Sequence, residues 1–256
     1  MTEDTGRTSR RDTAHAALLR SSHHDRPHGE PLVLPGPWDA ASARVFADAG
    51  FTALATPSAG VAASLGYEDG STPPDEMFAA IRRIARAVDV PVTADVEAGY
   101  GLPAAELVER LLEAGACGCN LEDSDPRDRR LKEPQEQADR LAAVRAAAGD
   151  ALVVNARVDS YLRGGADRTT AAVAARAELY VAAGADCVYP IGCPPEVLPD
   201  LAERVGAPLN ALCRPGGLAP RELGVLGAAR VTFGGGMQAQ ALDAVRLMAE
   251  GFLPPR

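Results

Sequence analysis

The chain has 256 residues, 46% of them hydrophobic and 24% charged, with a net charge of −9, a size that suits one large or two small globular domains. Its acidic residues are spread rather than blocked, which argues against a nucleic-acid or anionic-membrane partner. All four histidines (His15, His23, His24, His28) precede the first strand-like run, and Lys132 is the one lysine, so a histidine triad, a histidine-rich zinc site or a choice of Schiff-base lysines is disfavoured. Five cysteines without paired spacing read as reduced thiols. With no apolar leader and no run approaching a membrane span, the expectation is a cytoplasmic protein.

Residues 1 to about 12 are polar and expected to be disordered, and Asp12 to Ser22 reads as a short leading helix with Leu18 and Leu19 packed against something. Residues 1–30 thus form an N-terminal extension, and 31–256 the folded domain. From Leu32 the chain alternates. Strands are expected at Leu32 to Leu34, Thr52 to Ala55, up to Asp95, up to Glu122, Ala151 to Ala156, Asp186 to Tyr189, Pro208 to Leu212, and Arg230 to Phe233. Helices are expected over Ala40 to Asp48, from Pro73-Pro74 through Val88, Pro103 to Ala114, Gln135 to Ala148, Thr169 to Ala183, Pro195 to Val205, Pro220 to Leu226, and Gln238 to Glu250. The connection carrying Ser58-Ala59-Gly60 reads as a long loop.

Eight short apolar strands, each followed by a helix, are the pattern of a single-domain (β/α)₈ TIM barrel. An open doubly wound sheet would show a Gly-rich fingerprint after its first strand, and Pro35-Gly36-Pro37-Trp38 is not one.

In such barrels chemistry sits at the carboxyl ends of the strands. Those ends carry Trp38 and Asp39, Ser58 to Gly60, Asp95 and Glu97, Glu122 and Asp123, Arg157 and Asp159, Tyr189, Asn210, and Gly234 to Gly236. Period-two alternation puts Asp95 and Glu97 on one face of their strand, and the same parity puts Asn120 and Glu122 on one face of theirs. Acids converging without basic neighbours in sequence need a cation, and a hard divalent metal is the natural candidate. An arginine on the next strand can grip a carboxylate bidentately. By the same alternation Cys117 and Cys119 should face the helices as small hydrophobes.

The turn Pro35 to Asp39, the segment Thr56 to Asp69, Asp95 to Gly101, Asn120-Leu121-Glu122-Asp123 and Asn155-Ala156-Arg157 together resemble the isocitrate lyase/phosphoenolpyruvate mutase superfamily. That resemblance, covering Leu18 to Phe252, implies an oligomeric barrel, dimer or tetramer, that binds Mg²⁺ (Mn²⁺ as an alternative) and a small 2-oxo or 2-hydroxy carboxylic acid. It implies making or breaking a C–C or P–C bond through an enolpyruvate-like intermediate. It assigns Asp95, Glu97 and Glu122 to the metal, and Ser58, Ala59 and Gly60 to the substrate carboxylate or enolate oxygen. Trp38, Asn120 and Asn210 line the substrate site, Arg157 grips the substrate, and Asp69, Lys132 and Tyr189 are candidates for the proton chemistry.

The segment Ser124 to Lys132 lacks the Lys-Lys/Arg-Cys-Gly-His stretch of the isocitrate and methylisocitrate lyases, so true isocitrate cleavage is not expected. A phosphonomutase is an alternative reading. Gly234 to Gly236 and Arg214 to Gly217 suit a phosphate at a helix N-terminus, which leaves a metal-dependent aldolase or isomerase of a phosphorylated substrate as another. A non-catalytic keto-acid-binding barrel is the third.

Overall fold

A computed structural model describes residues 13–252 apart from 28, 126 and 164; the expectation of disorder over residues 1 to 12 lies outside the described residues. The described residues form eight strands: β1 (Leu32–Val33), β2 (Leu54–Thr56), β3 (Val92–Asp95), β4 (Gly118–Glu122), β5 (Val153–Val158), β6 (Cys187–Pro190), β7 (Asn210–Leu212) and β8 (Arg230–Thr232). Around them run the helices α1 (13–21), α2 (Ala40–Asp48), α3 (Ser58–Leu65), α4 (Pro74–Ala85), α5 (Ala104–Glu113) and α6 (Pro134–Ala148), followed by α7 (Ser160–Arg163), α8 (Thr170–Ala182), α9 (Leu198–Val205), α10 (Pro220–Val225) and α11 (Gly236–Glu250).

β2 to β6 pair in sequence order and β1, β8 and β7 form the remaining arc, all parallel. Two joints close the ring. Val188 bridges Leu209 in parallel, and the Ala55 N–H donates to the Pro35 carbonyl at 3.0 Å. The expected barrel is the observed one.

The alternation along the strands divides two cores. On β5, Val154, Ala156 and Val158 face the helices and join Met77, Ile81 and Ile84 of α4, Leu107 and Leu111 of α5, and Leu141 and Val144 of α6. Each such side chain removed from water contributes roughly 1.5–3 kcal/mol. The helical period of those apolar positions forms the outer ring, and Asp39 fixes the start of α2 through a capping box with Ser42 (Ser42 N–H to Asp39 Oδ1, 2.7 Å).

Inside, Ala16 and Leu19 of α1 pack with Leu32, Leu34, Ala53, Ala55, Cys117 and Val153. Helix α1 therefore plugs the amino-terminal mouth, anchored by Arg20 to Asp186 Oδ1 (2.7 Å) and to the Leu152 carbonyl (2.9 Å). Two expectations are corrected here. Leu18 is 52% exposed while Leu19 is fully buried, because one face of a helix meets the barrel. Cys117 precedes β4 and packs against the plug, and only Cys119 joins the sheet–helix core.

Candidate active site at the carboxyl ends of the strands

The segment expected as a loop after β2 is instead α3, which begins at Ser58 and ends at Gly66 in the left-handed conformation. Its first backbone N–H groups, left without intrahelical partners, point their positive dipole end toward the top of the barrel. The N-terminus of α11 arrives beside it through Gly234 and Gly235. A Cβ on Gly235 would sit 3.4 Å from the Ala59 Cβ, so the two helix starts abut. Both open on one cavity of about 370 Å³, which also takes in Asp69, Asp95, Asn120, Arg157 and Tyr189.

The acids converge by a different route from strand alternation. β3 stops at Asp95, and Glu97 stands in a turn with φ +52, a conformation non-glycine residues rarely adopt. The Glu97 N–H donates to Asp95 Oδ1 at 3.1 Å, and its carbonyl accepts from the Glu122 N–H at 2.9 Å. The turn thus clips β3 to β4 and brings Glu97 and Glu122 to an adjoining cavity shared with Ser58 and Asp69. Ser58 Oγ donates to Asp95 Oδ2 at 3.3 Å.

Arg157, at the matching height on β5, is the counter-charge. Its Nη1 lies 2.7 Å from Glu122 Oε2 and 3.9 Å from Asp95 Oδ2, and its Nε 2.7 Å from Asp159 Oδ1. Burial works against its charge, but Glu122, Asp159 and Asp95 outweigh that and hold the guanidinium protonated. Burial pushes Glu97 up to about 7, helped by Asp95 and Asp69, and Glu122 up to about 8 against the pull of Arg157. Asp95 is likewise raised by burial. Burial raises the Tyr189 hydroxyl to about 12, so it stays a proton donor at neutral pH.

The donors suit a partly hydrated divalent ion. Glu97 Oε1 is buried without a partner, and among the described residues Arg157 is the one arginine ion-paired with Asp95 and Glu122, although Arg129 and Arg163 line the same cavity. Among the described residues no group of three or more histidine, cysteine or acidic side chains is spaced to enclose a metal directly.

Other expected residues are placed as follows. Ser58, Ala59, Asp69, Asn120, Arg157 and Tyr189 line the main cavity. Gly60 lies behind it, where a Cβ would meet Pro57 and Gln238. Asn210 is fully buried one layer lower, accepting from Thr232 Oγ1 at 3.1 Å. Two more residues lie apart from the cavity lining. Trp38 packs edge-on against Phe46, 6.4 Å between centroids, because the capping turn carries its ring toward α2. Lys132 is held by its N–H to the Asp123 carbonyl and turns toward Gln137 (3.4 Å).

Two cavity arginines escaped the sequence reading, Arg129 and Arg163, while Arg214, read as the start of a phosphate-type turn, lines the main cavity. Nothing in periodicity marks the first two, since both sit in or beside loops. Asp159 orients Arg157 and accepts from Ser124 Oγ at 2.5 Å, and its spacing two residues beyond Arg157 was the available signal.

The family model for phosphoenolpyruvate phosphomutase matches residues 20–253. The chain belongs to the isocitrate lyase/phosphoenolpyruvate mutase superfamily. This is a superfamily of carbon–carbon lyases and mutases. The chain is 36% identical over 243 residues to an uncharacterized Mycobacterium tuberculosis protein, covering 92% of each. It is 32% identical to 2-methylisocitrate lyase of Bacillus subtilis over 70% of this chain and 62% of that one. A Burkholderia cenocepacia structure provisionally titled a phosphonomutase superposes with a TM-score of 0.85 at 38% identity, covering 92% and 99% of the two chains. A 2,3-dimethylmalate lyase structure superposes at 0.81 and 28% identity, over 93% and 86%.

Proposed function

We propose that the chain is a divalent-metal-dependent lyase that cleaves or forms a C–C or P–C bond of a small 2-oxo or 2-hydroxy carboxylic acid through an enolpyruvate-like intermediate. The observation that carries this reading is the acid group at the ends of β3 and β4, ion-paired among the described residues with Arg157 and set with two helix N-termini around two adjoining cavities. Asp95 would hold the ion directly, with Glu97 and Glu122 holding its waters. Mg²⁺ is the natural occupant and Mn²⁺ an alternative, and the bound cation would neutralise an oxygen that turns anionic as the bond parts. Ser58 Oγ and the first N–H groups of α3 orient the substrate carboxylate, since fixed donors need no reorganisation when charge develops. Arg157 would clamp a carboxylate oxygen, and Tyr189, protonated and buried, would hand a proton to the carbanion carbon. Asp69 at the rim is the acid left to take a proton up.

A panel of 2-oxo and 2-hydroxy diacids, with and without Mg²⁺ and read by mass spectrometry, tests this. The expected result is metal-dependent release of pyruvate or glyoxylate, reduced by about 10² or more in Asp95→Ala. Turnover that survives metal removal and Asp95→Ala would overturn the proposal, and binding without turnover would favour a keto-acid sensor.

A second reading has support of its own. Paired helix N-termini at Ser58 and Gly236 suit a phosphonate or phosphate as well as a carboxylate. Phosphoenolpyruvate belongs in the same panel, with ³¹P NMR to detect P–C bond formation.

A further inference from the structure

Arg230 heads the large side chains that are fully buried. It leaves β8 and crosses the barrel interior, and its Nη2 donates to Asn120 Oδ1 at 3.3 Å on β4, four strands away in either direction. Among the described residues it forms no ion pair, and its Nε and Nη1 have no partner. The groups on which its charge acts most strongly are thiols, a phenol and an imidazole: Cys187, Tyr189, Cys117, Cys119 and His23. An unpaired buried charge is strongly disfavoured, so a fold that keeps one there gives up stability for it.

The place of the charge suggests its use. Asn120, Tyr189 and Thr232 form the cavity floor, and Arg230 bonds to the first and stands two residues before the third on the same face of β8. Asn120 Oδ1 accepts from both Arg230 and Asn155 Nδ2 (2.7 Å). With its oxygen doubly engaged below, the Asn120 amide N–H₂ is the end left to face the cavity.

We propose that Arg230 is a positioning residue that fixes the Asn120 amide donor-side up and places positive potential beneath the cavity floor, so that the site favours an anionic ligand. Its effect passes through low-dielectric protein, where a charge a layer away still biases binding. This rests on the carboxylate-binding reading above.

The test is calorimetric titration of oxalate in the presence of Mg²⁺, beside thermal unfolding, for the wild type, Arg230→Met, Arg230→Gln and Arg230→Lys. The expected result is oxalate affinity roughly tenfold or more weaker in Arg230→Met and Arg230→Gln, with Tm unchanged or raised, and affinity restored in Arg230→Lys. A purely structural arginine would lower Tm and affinity together, and that outcome overturns the proposal. So does unchanged affinity in the uncharged variants. Should Arg230→Met not fold, Arg230→Gln decides by the same criteria. No oxalate binding by the wild type overturns the carboxylate reading itself, and this inference with it.

Discussion

Arg157 carries three carboxylate contacts, the shortest two at 2.7 Å, from a site where its own side chain is 13% exposed. Replacing it with methionine leaves Glu122 and Asp159 buried without their cation. Breaking a buried pair this way costs about 3 kcal/mol or more, so Arg157→Met should lose that much in urea unfolding as well as its turnover. His23 provides a pH-dependent counterpart far from the site. Burial, then the Arg230 charge, lowers it from 6.5 to about 4. Between those values the unfolded chain binds more protons than the folded one, so stability is full above about pH 6.5 and falls as pH drops toward 4. The loss is about 3 kcal/mol, and His23→Leu should flatten that limb when urea midpoints are compared at pH 7.5 and pH 4.5.

At the level of elements, the junction of β4 with the α1 plug depends on a missing side chain. A Cβ on Gly118 would lie 2.9 Å from both Thr93 Oγ1 and the Val153 carbonyl, and 3.2 Å from Leu19 Cδ2. Gly118→Ala should therefore destabilise by roughly 1–3 kcal/mol through overpacking, measurable as a lowered Tm. The loop that follows β4 is tied down at Asp123, which is fully buried and accepts from the Asp159 N–H (2.8 Å), Tyr180 Oη (2.8 Å) and Arg176 Nη1 (3.3 Å). Arg176 also holds the Lys132 carbonyl at 2.8 Å. The base of the loop is thereby fixed, and Arg129 at φ +58 projects from it to the cavity of Glu97 and Glu122. Asp123→Ala should loosen the loop and lower stability by about 3 kcal/mol, seen as faster amide exchange over residues 124–132.

Among the described residues, α11 is the helix with the most exposed large apolar side chains, and Phe252 follows just after it. Leu242, Val245, Leu247, Met248 and Phe252 are 50–88% exposed, more apolar surface than one solvated helix usually carries. We propose that this face pairs chains into the expected homo-oligomer, dimer or tetramer. Light scattering should show an oligomer that Leu247→Glu with Met248→Glu converts to monomer, and a monomeric wild type would refute it. No helix among the described residues is long and apolar enough to cross a membrane.

The β/α alternation was legible because each strand's apolar run and each helix's period are local properties of the chain, as in α2, whose expected and observed bounds coincide. So were the acids and Arg157, because strand ends can be read one strand at a time. Helix α3 was not legible: Pro57-Ser58-Ala59-Gly60 has turn composition, and packing against α4 and α11 outweighs it. Nor was the left-handed turn at Glu97, whose cost is borne by its backbone bonds to β4. Trp38 and Lys132 carried the right chemistry at the right ends, yet capping and loop anchoring turn them elsewhere. Arg230 reads as one more strand residue until the ring closes around it. By itself the sequence determined the repeating units and the residues each presents at its tip. Closure decided which of them meet, because a charge such as Arg230 finds its partner, Asn120, 110 residues away, and a contact that distant leaves no mark in a local pattern.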